Sequence, residues 1–476
     1  MGEINQFVTV QITRQAASLA RQGFGNPLFI AVFPAKGPYA TVLTQTYTSL
    51  NSVKLVFTDD ITVTAKIYCP EVIAAATTIF SQSIVPTYIV IGRRSLTTSN
   101  VADVTFPAVV IAGDKYTVNI NRKLYTSLGT ETTGTLVAAT ILGLITADTT
   151  NAVSAVATGA VLTVTSDATY SMLIDCSNTG LSAAATIVAG TGNVQPQGIV
   201  AAFDDIYAEN RTWYGVLLGK QQFASAIDVD IIALASEVKA LASTSPMLFV
   251  CVSASADNLD PVSITGTDVG NVLYTARYDK TAWMYSPYLF QYADAAWMAL
   301  QLPKPPGSST WKFKQLVGIT PVTLSDSERI ILEGIRTSDT YTAGKNGNFI
   351  ELVAGLNITA SNAVVCSGEY IDIIHGVDAL TVRSAEGLFG LLVGSEKVPM
   401  TNQGIGAVGN VLQNVWVTFA TNENPLLVKT SIAIELPDIS AVPIVDRTLR
   451  LLQNVHPSAT LQGAIQQMFI TGNVSV

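Results

Sequence analysis

The hexapeptide GIGAVG, Gly404–Gly409, has a spacing that matches a known ligand-binding pattern. Glycines at this spacing cradle a pyrophosphate when a buried strand comes directly before them and a helix follows. The residues before Gly404 are EKVPMTNQ, which contain Pro399 and no apolar run. We therefore interpret Thr401 or Asn402 as the cap of a helix that starts near Gly404. An enzyme with a nucleotide site at these glycines stays as the alternative, and stabilisation by a ligand on heating would support it.

Side chains that could carry out acid–base or metal chemistry are few and scattered. The two histidines, His375 and His456, lie about eighty residues apart, and His375 stands in an apolar stretch that favours packing. Asp204 and Asp205 are adjacent on a predicted helix, where their carboxylates diverge, so a solvated face is favoured over an acid–base or metal role. The four cysteines form no CxxC pair and give no zinc pattern. The sequence therefore predicts no catalytic residue, no metal and no cofactor.

The composition indicates a protein whose surface is covered by other protein. Charged residues make up only 13% of the 476 residues, and hydrophobic residues make up 49%. A large monomer usually carries more surface charge than this. The net charge of −9 argues against nucleic-acid binding, because no basic stripe is available for phosphates. The stretch Gly134–Ala147 is too short to span a bilayer, no secretion signal is visible, and scattered cysteines are typical of a reducing cytoplasm.

Alternating strand and helix patterns predict an α/β layer with a mostly parallel sheet in residues 23–95 and 197–345. We call these two stretches together the middle region. A helical pattern covers Asp59–Ser81 and must break or restart at Pro70, because proline interrupts a helix interior. A strand is predicted over Trp311–Leu316. The discontinuity of the pattern predicts one discontinuous middle domain.

Residues 96–196 have a different composition, in which Thr, Ala, Val, Ser and Gly dominate. Short strand patterns surround one helical stretch, Thr133–Ala147, and the α/β pattern resumes after them. This arrangement predicts an inserted β-rich domain that projects from the surface. A third domain is predicted over residues 346–460. In it a strand pair precedes a helix over Ile371–Gly394, and that helix is predicted to break near Asp378.

Strand patterns also stand near both ends of the sequence, in FVTVQIT (Phe7–Thr13) and MFITGNVSV (Met468–Val476). Neither pattern has a hairpin partner nearby. An unpaired strand on a monomer is an aggregation hazard, so each needs a partner elsewhere. The sequence predicts an N-terminal arm over residues 1–22 and a C-terminal arm strand over residues 461–476. Their strand-forming residues are Phe7, Val8, Val10, Ile12, Phe469, Ile470, Val474 and Val476.

The stretch GEYIDIIHGVDALTVRSAEGLFGLLVGSEKVPMTNQGIGAVG resembles the C-terminal core of contractile tail sheath proteins of myophages and related contractile injection systems. That family has a helix leading to a Gly-x-Asp turn, an Arg and an acidic residue on the next helix, and a Lys-Val-Pro-(Tyr/Met)-Thr turn. The resemblance covers about 110 residues well, including DRTLRLLQNVHPSATLQGAIQQM, and the middle region loosely. Ala379 and Asn402 depart from the Trp and Asp of many relatives, which leaves the subgroup open. The matching motif positions are Tyr370, Asp372, Gly376, Asp378, Arg383, Pro399, Thr401 and Gly404.

The resemblance implies a multidomain α+β fold of sheath type and a structural, non-enzymatic function. Sheath subunits stack as sixfold rings around a tail tube, and contraction into a shorter, wider state drives the tube through the host envelope. Arms at both termini add strands to neighbouring subunits, which is β-augmentation used as a permanent link. The implied hinges are Thr13–Gln22 and Gln453–Gln462.

The implied partners are further copies of the chain, the tail tube protein, and the baseplate and tail terminator proteins, with no nucleic acid and no insertion into membrane. The implied location is the virion, as part of a phage tail that is assembled in the host cytoplasm. A different self-assembling surface protein, of S-layer or adhesin type, is the structural alternative, and it would require a secretion signal.

Overall fold

The fold is taken from a computed structural model, which describes residues 23–33, 35–60, 63, 65–95, 101–120, 123–148, 153–166, 174–189, 197–219, 227–242, 244–263, 265–336 and 340–466. The strands of the first half are β1 (Pro27–Val32), β2 (Thr44–Tyr47), β3 (Phe57–Thr58), β4 (Ile67–Tyr68), β5 (Ile89–Arg94), β6 (Val101–Thr105), β7 (Lys115–Ile120), β8 (Lys123–Thr126), β9 (Val153–Thr158), β10 (Val161–Ser166), β11 (Ile174–Thr179) and β12 (Thr186–Ala189). Those of the second half are β13 (Gly215–Leu218), β14 (Leu248–Ser253), β15 (Thr281–Tyr285), β16 (Ile335–Arg336), β17 (Tyr341–Thr342), β18 (Ile350–Val353), β19 (Leu356–Thr359), β20 (Ala433–Glu435) and β21 (His456–Ser458).

The helices alternate with the strands through the middle region and dominate the region after residue 370. They are α1 (Leu50–Val56), α2 (Pro70–Phe80), α3 (Gly134–Ala147), α4 (Ile199–Glu209), α5 (Ile227–Leu241), α6 (Val269–Ala276), α7 (Ala293–Gln301), α8 (Asp326–Glu333), α9 (Ile371–Gly394), α10 (Asn402–Thr418) and α11 (Ile444–Thr448). Within the described ranges, none of these helices is long and apolar enough to cross a membrane.

A six-stranded sheet in the order β15-β14-β13-β1-β5-β2 organises the middle region. Its pairs are parallel except for β2, which runs antiparallel to β5 at the edge. The central strand β1 has the sequence PLFIAV and is buried along its whole length. Leu28 and Ile30 pack into one core, and Phe29 and Ala31 pack into the other, as expected for a parallel sheet covered on both faces. The predicted mostly parallel sheet is therefore present.

Three local predictions are wrong, each for a physical reason. The helical pattern over Asp59–Ser81 is wrong before Pro70, because residues 57–58 pair with 67–68 there, whereas the predicted restart at Pro70 is confirmed, since proline suits the first helical position. Residues Trp311–Leu316 form no strand, because Phe313 has a φ of +60°, outside the extended region. The predicted break near Asp378 is absent, and α9 runs through that residue without interruption.

Residues 101–189 form two antiparallel sheets, ordered β12-β6-β10-β9 and β11-β7-β8, with α3 packed against them. They enclose a core of their own that includes Val104, Tyr116 and Ile141. The helix α3 starts at Gly134 because the Thr133 side chain accepts a hydrogen bond from the amide of Leu136. An inserted unit rich in β-structure is thus observed, while its exact boundaries remain a prediction.

The region after residue 345 shares a core with one face of the large sheet. Ile350, Val365, Ile371 and Leu380 belong to the same buried cluster as Phe29 of β1. The long helix α9 packs along α10, and the last described residues return alongside the chain before β20. We call residues 346–466 the C-terminal region. Its contact with the middle region positions most of the residues discussed below.

The segment Gln453–Gln462, predicted as a hinge, is held by backbone hydrogen bonds. The amide of Val428 donates to Thr460, and the amide of Gln462 donates to Leu426. Part of the segment forms β21, which pairs with β20. The hinge stays a prediction, and in the subunit as described these backbone groups are paired with the preceding part of the C-terminal region.

Candidate functional site

The helix α9 carries four of the eight motif residues, and it lies at the junction of the middle and C-terminal regions. It begins after Tyr370, whose backbone is extended, and Asp372 stands in its first turn, where a carboxylate is favourable. Buried side chains concentrate between Ile371 and Leu380. The second half of the helix is largely exposed. The first half therefore anchors the helix, and the second half presents a surface.

Asp378 ties this helix to the large sheet. Its Oδ1 accepts a hydrogen bond from Nζ of Lys280 at 2.7 Å, and its Oδ2 accepts one from the hydroxyl of Tyr214 at 2.9 Å. Burial raises the pKa of the Asp378 carboxyl, and the Lys280 ammonium opposes that rise. Burial, together with the Asp378 carboxyl, raises the pKa of the Tyr214 hydroxyl. Because a buried carboxylate needs such partners, this triad fixes the position of α9 against β13 and β15.

His375 lies one turn before Asp378 and is buried. Its ring stacks on Tyr214 with centroids 5.0 Å apart and lies 6.1 Å from the ring of Phe24. Burial lowers the pKa of His375 to about 4, so the ring is neutral at physiological pH. Its Nε2 makes no hydrogen bond to a described residue. The packing role predicted for this histidine matches its position.

Gly376 provides the closest approach between α9 and the loop after α7. A Cβ on Gly376 would lie 2.6 Å from a methyl group of Leu426 and 3.1 Å from the Cα of Gly307. Gly307 has a φ of +83°, a backbone conformation that glycine adopts without strain. Two glycines therefore allow the two backbones to touch where side chains would hold them apart.

Arg383 and Asp372 stand at opposite ends of this anchored segment. The guanidinium of Arg383 bonds to Glu386 at 2.6 Å and lies 5.4 Å from the ring centroid of Phe24. This places a cation over an aromatic face from the middle region. Burial raises the pKa of Asp372 to about 6, and the ammonium of Lys314 partly opposes the rise.

The motif residues Pro399, Thr401 and Gly404 form the turn into α10. The Thr401 side chain accepts a hydrogen bond from the Gly404 amide at 3.3 Å and caps the helix, as predicted. A Cβ on Gly404 would overlap the carbonyl of Pro399, so only glycine fits there. Residues 395–401 contain no strand. The hexapeptide Gly404–Gly409 thus lacks the strand that a dinucleotide-binding turn requires, and its first amide is already bonded.

The eight arm residues lie outside the described residues. These are Phe7, Val8, Val10, Ile12, Phe469, Ile470, Val474 and Val476. In the described ranges, no three His, Cys, Asp or Glu residues are grouped in a way that could hold a metal ion. The four cysteines are free thiols, and three of them are buried.

Sequence reasoning missed the partners of α9. Four residues of the middle region contact motif residues, namely Phe24, Tyr214, Lys280 and Gly307. The two polar partners of Asp378 are 98 and 164 residues away in the chain. Tyr214 and Lys280 stand in the middle region, where nothing in their local sequence distinguishes them from other strand-flanking residues.

Comparison with known proteins gives a likeness of fold. No family model matches the chain, and no curated protein matches it. Its structure is similar to a chain in the cryo-EM structure of the anti-feeding prophage baseplate, solved with sixfold symmetry. The TM-score is 0.54 at 9% sequence identity, and the likeness covers 98% of this chain and 99% of that chain. At this identity the comparison shows a shared fold over nearly the full length of both chains.

Proposed function

We propose that this chain is a structural subunit of a contractile injection assembly, and that it forms the sheath that surrounds the tube. The observation that carries the proposal is the likeness to a chain of a contractile-system baseplate structure over 98% of one chain and 99% of the other. Coverage this complete includes the inserted unit and the C-terminal region, and not only a common α/β layer. The motif residues of α9 and α10, which resemble the sheath family, support the same proposal independently.

In this proposal the subunits stack as sixfold rings, bind a tail tube protein inside, and meet baseplate and terminator proteins at the two ends. The energy for contraction is stored when the extended sheath assembles, so the subunit needs no nucleotide. The junction at Asp378 suits this role because it joins the middle and C-terminal regions through buried polar bonds and a shared core. A subunit joined in this way can rotate as one body during contraction.

The ribbon formed by β20 and β21 is the proposed acceptor for an arm of another subunit. Each strand has three residues, and a two-stranded ribbon of this size is marginal alone in water. Within the described chain, no third strand joins either edge. Adding a strand from a neighbour would complete this small sheet by β-augmentation.

The register of the ribbon favours β20 as the receiving edge. Ile434 lies opposite Pro457, and proline has no N–H to donate. The pair therefore cannot exchange both hydrogen bonds, and Ile434 must direct its N–H and C=O groups away from β21. The outer edge of β21 lacks a donor at Pro457, whereas the outer edge of β20 offers both groups at Ile434.

The second half of α9 offers an apolar surface that suits contact with another protein. Phe389, Leu392 and Val393 are 50%, 61% and 59% exposed. Three large apolar side chains within five residues of an exposed helix are typical of a protein interface. Either the tube or a neighbouring subunit would cover them in the assembled sheath.

The proposal is tested by electron microscopy of the purified full-length protein and of two truncated forms. Full-length protein is expected to form long tubes of stacked rings. Removal of residues 1–13 or 469–476 is expected to leave a folded monomer that does not polymerise, because each deletion removes an arm strand. Long tubes from a truncated form would contradict the proposed role of the arms.

A substitution at the acceptor edge supplies a matched control. Ile434→Pro removes one outward N–H without breaking a bond inside the ribbon, so polymerisation should fail while the monomer stays folded. Ile434→Ala keeps the outward N–H and should leave more of the polymerisation intact. Equal polymerisation of the Ile434→Pro variant and the unchanged protein would rule out this edge.

A baseplate subunit is the second candidate, because the similar chain belongs to a structure described as a baseplate. The same microscopy separates the two candidates. A sheath subunit polymerises into tubes of variable length, whereas a baseplate subunit that forms a single collar stops at one ring.

A further inference from the structure

Phe313 has an unusual backbone conformation and an exposed ring. Its φ is +60°, and its side chain is 50% exposed. Bulky residues rarely adopt positive φ, and such strain persists only where the surrounding structure imposes it. Tyr292 is the other aromatic residue with positive φ in the described chain, and it is fully buried. Burial explains the conformation of Tyr292, but it does not explain that of Phe313.

The buried residue Thr359 holds the Phe313 backbone in place. The Thr359 carbonyl accepts from the Phe313 amide at 2.8 Å, and its hydroxyl accepts from the Lys314 amide at 2.8 Å. The same hydroxyl donates to the carbonyl of Trp311 at 2.9 Å, and the Thr359 amide donates to Lys314 at 2.9 Å. Four hydrogen bonds from one side of the loop therefore fix an exposed aromatic ring in a strained position. We call Trp311–Lys314 the Phe313 loop.

One lysine lies beside the ring, and a second follows Phe313 in the loop. The Nζ atom of Lys312 lies 5.2 Å from the centroid of the Phe313 ring. Lys314 is half-buried, and desolvation lowers its pKa although Asp372 opposes that effect. The pKa of Lys304 is lowered by desolvation and by the charge of Lys314. Because Lys312 lies beside the ring and Lys314 follows it in the loop, a partner that carries carboxylates is favoured there.

A groove elsewhere in the C-terminal region has complementary chemistry. It has a volume of about 260 Å³ and lies between the ribbon of β20 and β21 and the start of α11. Leu436, Pro437 and Val442 supply an apolar lining, and Glu435 and Asp446 are its charged residues. Arg447 lies beside the groove, where its Nε donates to the Val442 carbonyl. A cavity of about 150 Å³ can hold a benzene ring, so this groove has room for a phenyl group.

We propose that the Phe313 loop of one subunit docks into this groove of a second copy of the chain. The ring would enter the apolar lining while the lysines beside it meet Glu435 and Asp446. The loop and the groove are different surfaces of one chain, so the contact is head-to-tail and can propagate through an assembly. This inference rests on the proposed self-assembly, but it concerns a contact that is separate from the arm strands.

The test measures association of full-length protein by sedimentation velocity over a range of concentrations. Phe313→Ala is expected to weaken association by about tenfold or more, as for a buried aromatic anchor. Lys312→Glu and Glu435→Lys should each weaken association, and their combination should restore part of it. Asp446→Lys is tested in the same way with Lys312→Glu. Leu181→Ala, at a residue 91% exposed in the inserted unit, is the control and should have no effect.

Phe313→Asn separates a role in association from a role in folding. Asparagine tolerates positive φ, so this variant should melt at the same or a higher temperature while association is lost. Phe313→Tyr keeps the ring and should associate normally. Unchanged association of Phe313→Asn in a protein that still forms tubes would overturn the inference and leave the proposed function intact. Failure of the unchanged protein to assemble at all would count against the proposed function itself.

The segment after Gln466 is the competing occupant of the Phe313 loop. The Gln466 side chain donates to Thr310 at 2.8 Å, so the chain beyond it begins near the loop. If Phe313→Ala lowers the melting temperature of the dilute, monomeric protein and deletion of residues 467–476 removes that loss, the loop contacts its own C-terminal segment and the inference is wrong. If Phe313→Ala weakens association without lowering the melting temperature of the monomer, the second copy is the occupant.

Discussion

Asp378 shows how a single buried charge can determine the position of a helix. Its carboxylate accepts hydrogen bonds from Lys280 and Tyr214, which directly precede the strands β15 and β13. A charged pair in the interior adds little net stability, since desolvation offsets the attraction. Removal of one partner is costly, because the other remains buried without its counter-charge. The triad therefore specifies where α9 packs more than it adds to stability.

We expect Asp378→Ala to reduce the free energy of unfolding by about 3–5 kcal/mol, because it leaves the Lys280 ammonium buried without a counter-charge. Chemical denaturation measures this change. Asp279→Ala removes an exposed carboxylate next to Lys280 in the chain and should change stability by less than about 0.5 kcal/mol. Similar losses in both variants would show that the Asp378 triad does not anchor the helix.

His375 and Asp372 predict opposite dependences of stability on pH. The pKa of His375 is lowered to about 4, so stability falls as the pH drops from about 6.5 to about 4. The pKa of Asp372 is raised to about 6, so stability falls as the pH rises from about 3.8 to about 6. The two effects overlap and largely cancel in the unchanged protein.

Single substitutions should expose each dependence. Relative to the unchanged protein, His375→Phe should gain on the order of 2–3 kcal/mol of unfolding free energy between pH 7 and pH 4. Asp372→Asn should gain a similar amount in the other direction, between pH 3.5 and pH 7. Denaturation curves at each pH measure both changes. A pH-independent difference from the unchanged protein for either variant would contradict the burial of that group.

The sequence marks several of these residues but not the contacts between them. The family resemblance points to Asp378 and Gly376, and the apolar neighbours of His375 predict its packing role. Their partners Tyr214, Lys280 and Gly307 come from segments whose local patterns indicate only strand ends and a loop. Contacts between residues 98 or 164 positions apart depend on how the sheet and the C-terminal region pack. No local periodicity records that packing.

In the helix α10, too, the local sequence does not show what each glycine does, because the glycines differ in their surroundings. A Cβ on Gly404 would overlap the Pro399 carbonyl, whereas one on Gly406 would meet open space. Gly404 therefore allows the turn to fold tightly onto the first turn of the helix. The GxGxxG spacing arises from helix entry and packing in this chain.

Two alanine substitutions in α10 test this interpretation. Gly404→Ala should cost about 1–3 kcal/mol, because the backbone of Pro399 cannot move away easily. Gly406→Ala should stabilise the protein by up to about 1 kcal/mol, because alanine favours a helix interior over glycine. Thermal denaturation of the two variants measures both effects. Equal effects of the two substitutions would contradict the steric requirement for glycine at position 404.

Strands and helices could be predicted from the sequence where the pattern of apolar residues alone determines the type of element. The strands β1 and β14 are buried on both faces and read as nearly continuous apolar runs, as does the first half of β5. The strand predicted over Trp311–Leu316 is wrong because hydrophobicity does not decide the backbone there. Its apolar residues belong to a loop, and hydrogen bonds to Thr359 hold the backbone of that loop in place. The error at Asp378 arises because a charged residue inside a helix looks like an interruption until its buried partners are known.

At the scale of the whole molecule, the low content of charged residues is accompanied by exposed apolar side chains. Large apolar side chains remain exposed on α9, on α11 and at the end of the described chain, where Ile465 is 80% exposed. Such surfaces promote association of a free monomer. Their concentration in the C-terminal region, beside the open ribbon of β20 and β21, fits a subunit that is covered on assembly.

The regions of the molecule differ in whether they share a buried core. The C-terminal region and the large sheet bury residues in one cluster, while residues 101–189 enclose a cluster of their own. The first two are therefore packed around one core, and the inserted unit has a core separate from theirs.

The most direct test of the central claim is a cryo-EM map of the polymer formed by the full-length protein. The account predicts sixfold rings in which a strand from a neighbouring subunit pairs with the outer edge of β20 at Ile434. A map in which both edges of the ribbon face solvent, or a protein that remains monomeric under all assembly conditions, would contradict it.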